Sequence, residues 1–278
     1  MNQINPTFTA IVLAGQRSGV DPVANARGVT YKALAPVGGR PMILNVIEAL
    51  EACPWVDRVI VSLEDRKLAE QEPGLKAYQK LGQIADAGPS ICTSVAAAVR
   101  QKNIQAPFLV VTADHALLTP AMLNRFCEES VHLHKTETVD FTLAMVARTT
   151  FQAAYPMARR TFLNFRDDGY SGCNMFAFMT ITALRVLDFW VRIERDRKKP
   201  WRLMRAFGLM NLFRYLFRLE DLQSMIARGG KVVGVVGRAV VMDCPEAAID
   251  VDTIEDLDLV ERILATRRHI NYAAEPTS

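Results

Sequence analysis

The residues best suited to chemistry begin in the stretch AIVLAGQRSGVDPVANARGVTYKALAPVGGRPMI, residues 10–43. An apolar, β-branched run ends at Gly15, and Arg17 and Lys32 follow it with positive charge. Backbone N–H groups that point outward after a strand form a nest for an anion. The loop therefore suits a phosphate group, although a solvated strand-to-helix loop would have the same composition. Its spacing is neither that of a P-loop nor the GxGxxG of dinucleotide-binding loops.

Aspartates that follow other apolar runs are the second candidate group. Asp114 comes directly after the run 107–113, where a strand is predicted to end. Asp250 and Asp252 precede the last helical pattern, and residues two apart on a strand share one face. Carboxylates together with phosphate oxygens are the ligands that Mg²⁺ prefers, so aspartates from distant parts of the chain could meet one metal ion. Helix capping is the alternative role for Asp250 and Asp252.

Alternating strand and helix patterns must position these residues. Buried-strand patterns cover 8–14, 57–63, 107–115 and 140–148, and helical patterns cover 41–53, 90–102 and 119–134. This alternation predicts an α/β fold with a mostly parallel sheet and helices on both faces. Ligands of such sheets bind beyond the carboxyl ends of the strands, where the Gly15 loop and Asp114 lie.

The second half of the chain has a different pattern. The sequence predicts two strands joined by an Asp-Gly turn over 160–180 and a helical tract from 181 to about 228. A strand over 231–243, then a strand end and a closing helix over 250–268, complete the prediction.

Composition limits the class of protein. The chain has 278 residues, a net charge of +3 and five cysteines without a CxxC pair. These values argue against a nucleic-acid partner, a disulfide framework and a zinc site. We find no signal-peptide pattern and no apolar window of about 18 residues, so we expect a cytoplasmic protein without a spanning helix.

An ordered set of motifs resembles the nucleotidyltransferases that have a MobA-like, GT-A-type Rossmann domain. That family includes molybdenum-cofactor guanylyltransferases, sugar-phosphate nucleotidyltransferases and methylerythritol-phosphate cytidylyltransferases. The stretches that carry the resemblance are AIVLAG (10–15), KALAPVGGRPMILNVIEAL (32–50), VVTADHALLT (110–119), SGCNMFAF (171–178) and DVDTIEDLDLVERIL (250–264). The resemblance implies a three-layer α/β/α Rossmann-like fold with a mostly parallel mixed sheet. We expect one nucleotidyltransferase domain over 1–278, with a helical, basic and amphipathic insertion over 181–228.

The resemblance also implies a reaction, which is Mg²⁺-dependent transfer of a nucleotidyl group from CTP or GTP to a phosphorylated small-molecule or lipid acceptor. Pyrophosphate would be released. Lys32, Arg17 and Asp114 would be the catalytic residues, and Asp114 and Asp252 would bind the metal. The implied nucleotide-binding residues are Leu13, Ala14, Gly15, Gln16, Lys32, Gly88, Ser90, Thr93, Ser94 and Asp114. The implied acceptor-binding residues are Gly172, Cys173 and Asn174.

The first loop departs from the family pattern, because Gln16 stands where a glycine is common and Arg17 comes early. His115, beside Asp114, is interpreted as an ordinary strand-end histidine. Two other functions stay open. One is a glycosyltransferase-like enzyme that uses a nucleotide sugar, although ADH at 113–115 is not a DxD metal motif. The other is a catalytically silent nucleotide-binding protein that docks on a membrane through 187–222.

The segment 187–222 has the composition of a helix at a membrane surface. Its cations are Arg192, Arg195, Arg197, Lys198, Lys199, Arg202 and Arg205, near Trp190 and Trp201. Its apolar positions are Leu203, Phe207, Met210, Phe213, Leu216 and Phe217, beside Arg214 and Arg218. Such a segment predicts peripheral contact with the inner face of a membrane or with a lipid phosphate. Packing on the sheet, or a homodimer contact, is the alternative.

Overall fold

The computed structural model describes residues 6–16, 19–65, 72–196 and 208–274. The strands are β1 Phe8–Leu13, β2 Pro36–Val37, β3 Arg40–Pro41, β4 Val56–Leu63, β5 Leu81–Asp86, β6 Phe108–Thr112, β7 Phe141–Ala147, β8 Leu163–Asn164, β9 Gly169–Phe178 and β10 Gly237–Met242. The helices are α1 Pro22–Ala26, α2 Met42–Glu51, α3 Ile91–Lys102, α4 Pro120–Glu137, α5 Arg148–Ala154, α6 Arg185–Asp196, α7 Leu209–Leu216, α8 Leu222–Val233 and α9 Ile254–Ala274. Short 3-10 helices cover Lys32–Leu34, Pro73–Ala77, Ile181–Leu184 and Pro245–Ala248.

One mixed sheet organises the described residues. Its strand order is β10-β7-β9-β6-β1-β4-β5, with β8 paired to β9. All paired strands on this path run parallel except β9, which is antiparallel to its neighbours β6 and β7. The first residues of β9 therefore lie at the same edge as the last residues of the parallel strands. We call this edge the carboxyl edge.

Helices cover both faces of the sheet, which confirms the predicted three-layer α/β/α arrangement. The strand β1 shows why its sequence is a continuous apolar run. Ala10 and Val12 belong to the apolar cluster on one face, and Ile11 belongs to the cluster on the other. A central parallel strand buried on both faces requires this pattern. The helix α2 packs on the first face, whereas α3 and α6 pack on the second.

Local capping signals fix where the site-bearing helices begin. The Ser90 side chain accepts from the backbone N–H of Thr93, and the Thr93 hydroxyl accepts from the backbone N–H of Ser90. This reciprocal pair is a capping box at the start of α3. Thr119 caps α4, whose first residue is Pro120, as the sequence predicts.

The structure corrects two sequence predictions and adds the strand β5, which was not predicted. Residues 231–236 do not form the start of a strand, because α8 continues to Val233 and ends at Gly234, whose φ of +82° suits glycine. Residues 250–252 are not a strand, so the predicted shared strand face of Asp250 and Asp252 is wrong. The strand β5 was not predicted, because LGQIAD at the edge of the sheet is largely half-buried or exposed and lacks an apolar run.

The segment 179–236 leaves and rejoins the sheet at one residue, Asp140. The Asp140 carboxylate accepts from the Thr180 hydroxyl at 2.6 Å and from the Val236 N–H at 2.8 Å. Its carbonyl oxygen accepts from the Met179 N–H at 2.8 Å. The predicted helical tract is represented here by Ile181–Leu184, α6, α7 and α8. Within the described ranges, no helix is both long enough and apolar enough to cross a membrane.

Part of that predicted tract falls outside the described residues. The predicted basic and apolar positions in that part are Arg197, Lys198, Lys199, Trp201, Arg202, Leu203, Arg205 and Phe207.

Candidate active site

Three predicted site residues meet at the carboxyl edge. The Nζ atom of Lys32 lies 2.9 Å from Oδ2 of Asp114 and 2.6 Å from Oδ1 of Asp252. Lys32 begins a 3-10 helix, Asp114 follows β6, and Asp252 precedes α9. The Val251 N–H donates to the Asp114 carbonyl oxygen at 3.0 Å, which holds the two loops together.

The charge balance of this centre favours a cation. Burial opposes the charge on Lys32, whose side chain is 16% exposed, but Asp114 and Asp252 outweigh burial and raise its pKa above 10.5. Lys32 is therefore protonated at neutral pH and shares its charge between two carboxylates. Asp114 also accepts from the Thr112 hydroxyl at 2.5 Å, which fixes its orientation.

The donor set of this centre fits a divalent metal ion. Asp114 and Asp252 are carboxylates that already share one cation. No group of three His, Cys, Asp or Glu side chains with metal-binding geometry occurs among the described residues. Mg²⁺ commonly takes one or two carboxylates and completes its shell with phosphate oxygens and water.

The loop after β1 already binds an anionic group. The backbone N–H of Gln16 donates to both carboxylate oxygens of Glu64, at 2.9 and 3.1 Å. The Gln16 side chain accepts from the Lys32 N–H at 3.2 Å, which ties this loop to the cation centre. The Ala14 N–H is paired with the Ser62 carbonyl oxygen, so Ala14 has no free N–H for a ligand. Leu13 is the last residue of β1, and Arg17 lies outside the described residues.

The second predicted nucleotide loop lies directly beside the first. A Cβ atom on Gly15 would lie 3.3 Å from the Cβ of Ala87, so the two loops are in close contact. The Ser94 hydroxyl accepts from the Gly88 N–H at 3.0 Å and lies 2.8 Å from the Ser90 carbonyl oxygen. The hydroxyls of Ser90, Thr93 and Ser94 thus brace the loop.

Asp250 belongs to a different network from Lys32. Its carboxylate accepts from Nη1 of Arg160 at 2.5 Å and from Nδ2 of Asn174 at 2.8 Å. Burial raises the pKa of Asp250 above 3.8, and the nearby Asp114 and Asp252 add to this effect, whereas Arg160 opposes it. Arg160 also approaches Asp256 at 3.4 Å, so it links Asp250 to α9.

A cavity of about 350 Å³ opens between this network and the start of β9. Gly172, Asn174, Asp250 and Asp252 all line it, so it adjoins the Lys32 centre. A wider cavity of about 990 Å³ shares Arg160, Thr161 and Asp252 with it. Gly172 faces open space in the first cavity, since a Cβ at this position would meet no atom within 4 Å.

Two of the residues singled out from the sequence point into the core. Cys173 is buried between Gly172 and Asn174, and burial raises the pKa of its thiol. His115 is fully buried, and neither ring nitrogen makes a hydrogen bond of normal geometry with the described residues. Burial lowers the pKa of His115 to about 4, although Asp114 and the backbone of Glu246 offset part of this effect. The side chain is therefore neutral, in line with the interpretation as a strand-end histidine.

Sequence reasoning missed Glu64 and Arg160. Glu64 follows β4 directly, so the rule that ligands bind at carboxyl strand ends could have singled it out. Arg160 had no local signal, because its partner Asp250 is 90 residues away.

Comparison with known proteins identifies the family. Residues 10–162 match the MobA-like NTP transferase domain. The chain is 28% identical to a solved hypothetical transferase from Thermus thermophilus, with a TM-score of 0.70, covering 90% of this chain and 99% of that one. No curated protein sequence matches it.

Two solved structures of lower identity share the fold. One is CMP:2-keto-3-deoxy-manno-octonic acid synthetase complexed with CTP, at 15% identity and a TM-score of 0.57, covering 93% of this chain and 99% of that one. The other is 4-diphosphocytidyl-2C-methyl-D-erythritol synthase from Anaerococcus prevotii DSM 20548, at 12% identity and a TM-score of 0.54, covering 94% and 99%. Because the family match covers more than half of the 278 residues, the chain belongs to the MobA-like NTP transferases and is a transferase of nucleotidyltransferase type.

Proposed function

We propose that this transferase moves a nucleotidyl group from CTP or GTP to a phosphorylated acceptor, with Mg²⁺, and releases pyrophosphate. The observation that carries the proposal is the position of Lys32 between Asp114 and Asp252, next to the loop after β1. An oxygen of the acceptor phosphate attacks the α-phosphorus of the triphosphate. The bond from that phosphorus to the bridging oxygen breaks, and its electron pair leaves with pyrophosphate.

Positioning and electrostatics would supply most of the catalysis. The N–H groups of Gly15 and Gln16 would bind phosphate oxygens, with Glu64 displaced from Gln16. Lys32 would counter the negative charge that grows on these oxygens, and Arg17 would add a second cation. Asp114 and Asp252 would hold Mg²⁺, which would neutralise further phosphate charge when bound.

The loop 87–94 would recognise the base through its backbone groups. The hydroxyls of Thr93 and Ser94 are used within the loop, so they would shape it, and Gly88, which has no Cβ, leaves room for Thr93 and would keep the loop in this shape. The CTP bound to the 2-keto-3-deoxy-manno-octonic acid synthetase supports CTP. The resemblance to guanylyltransferases supports GTP.

The acceptor would enter through the two connected cavities. Gly172 and Asn174 line the inner cavity, next to the proposed metal ligand Asp252. Arg159 and Arg262 line the outer one, and their side chains are exposed and form no ion pair with a described residue. Two available guanidinium groups suit a phosphate or another anionic group on the acceptor.

A thermal-shift and calorimetric screen tests the proposal. CTP, GTP, ATP and UTP are each added with and without Mg²⁺ to the wild type and to Asp252→Asn. The matched control is Asp258→Asn, an exposed carboxylate on α9 that forms no ion pair with a described residue. A triphosphate at about 100 times its Kd should stabilise the wild type by about 2.7 kcal/mol. The Mg²⁺-dependent part should be lost only in Asp252→Asn.

Turnover is then measured as pyrophosphate release with phosphorylated acceptors. Release that depends on the selected triphosphate and on an acceptor supports transfer. Stabilisation by a nucleotide sugar instead of any triphosphate would favour the glycosyltransferase-like alternative. Triphosphate binding without pyrophosphate release across an acceptor panel would favour the silent binding protein.

A further inference from the structure

The helix α7 presents an apolar face to solvent. Leu209, Met210, Phe213, Leu216 and Phe217 are between 49% and 70% exposed. Their spacing of three, four and seven residues places them on one side of the helix, which we call the apolar face. A surface helix normally turns its charged side outward, so this helix has the reverse orientation.

The opposite side of α7 is anchored to the domain. The ring of Tyr215 packs edge-on against Phe165 with centroids 5.8 Å apart. Arg214 forms an ion pair with Glu220 at 2.5 Å, and Arg228 of α8 pairs with the same carboxylate at 2.8 Å. The outward position of the apolar face is therefore held by contacts on its other side.

Cations precede and follow the apolar face in the sequence. Arg218 follows the end of the helix with a left-handed φ of +52°, is exposed and makes no ion pair with the described residues. The chain that joins Gly208 from its amino-terminal side, residues 197–207, has five Lys and Arg residues and no acidic residue in its sequence. An exposed apolar face that is preceded and followed by cations in the sequence has the composition of a helix that lies in an anionic lipid interface.

We propose that the apolar face of α7 docks the protein on an anionic membrane surface. Its leucines and phenylalanines would enter the region between head groups and acyl chains, and Arg218 would bind lipid phosphates. The charge favours a membrane over a second copy of the chain, because a symmetric dimer through this face would bring like charges together. Docking does not require the transfer reaction, so vesicle binding and nucleotide binding can fail separately.

The docked face would be connected through packed side chains to the inner cavity of the proposed acceptor site. Tyr215 contacts Phe165, whose ring centroid lies 6.0 Å from that of Tyr170. Tyr170 lines the inner cavity together with Asp250 and Asp252. Membrane contact at α7 is thus joined to the candidate active site by a short series of packed aromatic rings.

Vesicle co-sedimentation with the full chain tests this proposal. Phosphatidylcholine vesicles are compared with vesicles that also contain phosphatidylglycerol, at low and high salt. The wild type should bind only the anionic vesicles and should be released by salt, because salt screens the charge. Leu216→Glu/Phe217→Glu should lower binding by at least about tenfold. Val20→Glu adds one of these two negative charges at an 84% exposed position in another loop and should bind as the wild type does.

Unfolding temperatures of all variants must match that of the wild type, which exposure of the substituted residues makes feasible. A wild type that stays in the supernatant at low salt would overturn the proposal, as would equal binding to neutral vesicles. Size-exclusion chromatography gives a third outcome. A dimer that Leu216→Glu/Phe217→Glu dissociates, without vesicle binding by the wild type, would show that a second copy covers the face.

Discussion

Lys32 and Asp252 are 220 residues apart in the sequence, yet the ammonium nitrogen of one lies 2.6 Å from a carboxylate oxygen of the other. Asp114 contacts the same ammonium from a third part of the chain. The two carboxylates that we propose as metal ligands are thus paired with a lysine. A divalent cation and the lysine must share or compete for these oxygens.

Lys32→Met should therefore strengthen metal binding and slow transfer. Removal of a competing positive charge should tighten Mn²⁺ binding without nucleotide by about tenfold, as measured by calorimetry. Transfer should fall by at least about 100-fold, because the charge that stabilises the phosphate oxygens is lost. Lys32→Arg, which keeps a cation, should not tighten Mn²⁺ binding. Weaker Mn²⁺ binding to Lys32→Met would contradict the assignment of Asp114 and Asp252.

Glu64→Gln should raise the affinity for a triphosphate about three- to tenfold. The Glu64 carboxylate occupies the Gln16 N–H that we propose for phosphate, and its charge repels a phosphate. Glu128→Gln, an exposed position on α4, is the control for a change in net charge. Titration calorimetry at two salt concentrations measures the effect, which should shrink with salt. A loss of affinity would instead assign Glu64 a direct role in binding the nucleotide.

Gly88→Ala and Gly172→Ala should have different effects, because Gly88 lies in the proposed nucleotide loop and Gly172 lines the proposed acceptor cavity. A Cβ at Gly88 would lie 2.8 Å from the backbone carbon of Thr93, so Gly88→Ala should destabilise the fold by about 1–3 kcal/mol and weaken triphosphate binding. A Cβ at Gly172 would meet no atom within 4 Å, so Gly172→Ala should leave stability unchanged. It should raise KM for the acceptor with little change for the triphosphate. Unaltered acceptor kinetics in Gly172→Ala would remove Gly172 from the acceptor site.

His115 should make the fold less stable in mild acid. Burial lowers its pKa to about 4, so between pH 6.5 and 4 the unfolded chain binds a proton that the folded chain does not. Stability from this residue is therefore complete above pH 6.5 and is lost as the pH falls toward 4, by about 3 kcal/mol. Urea unfolding of His115→Leu should show a smaller loss than the wild type over this range. His132→Gln, at an exposed position on α4, should follow the wild type. Parallel curves for all three proteins would contradict this prediction.

Local signals in the sequence were sufficient for much of the fold. The run FTAIVL predicts a strand buried on both faces, and Ser90 and Thr119 mark two helix starts, because these effects depend on neighbouring residues. The edge rule for parallel sheets also places Gly15 and Asp114 at one edge without knowledge of the strand order.

Contacts between distant residues limited the prediction of the site. Nothing near Arg160 in the sequence indicates that it pairs with Asp250, and nothing near Gln16 indicates that Glu64 binds its N–H. The burial of Cys173, by contrast, could have been predicted from the sequence. Alternation along β9 turns Cys173 away from the side of Gly172 and Asn174, so the burial of its thiol follows from strand geometry.

The attachment of the segment 179–236 to Asp140 gives the domain a modular construction. Asp140 precedes β7, so both ends of the segment are fastened at the edge of the sheet opposite Lys32. The described residues between these ends form a closed excursion in which α6 packs on the sheet but α7 buries no residue, so a change in sequence around α7 leaves the strands and their carboxyl edge in register. Related domains could therefore differ in the sequence around α7, and so in the surface on which they dock in the cell, while the reaction centre stayed the same.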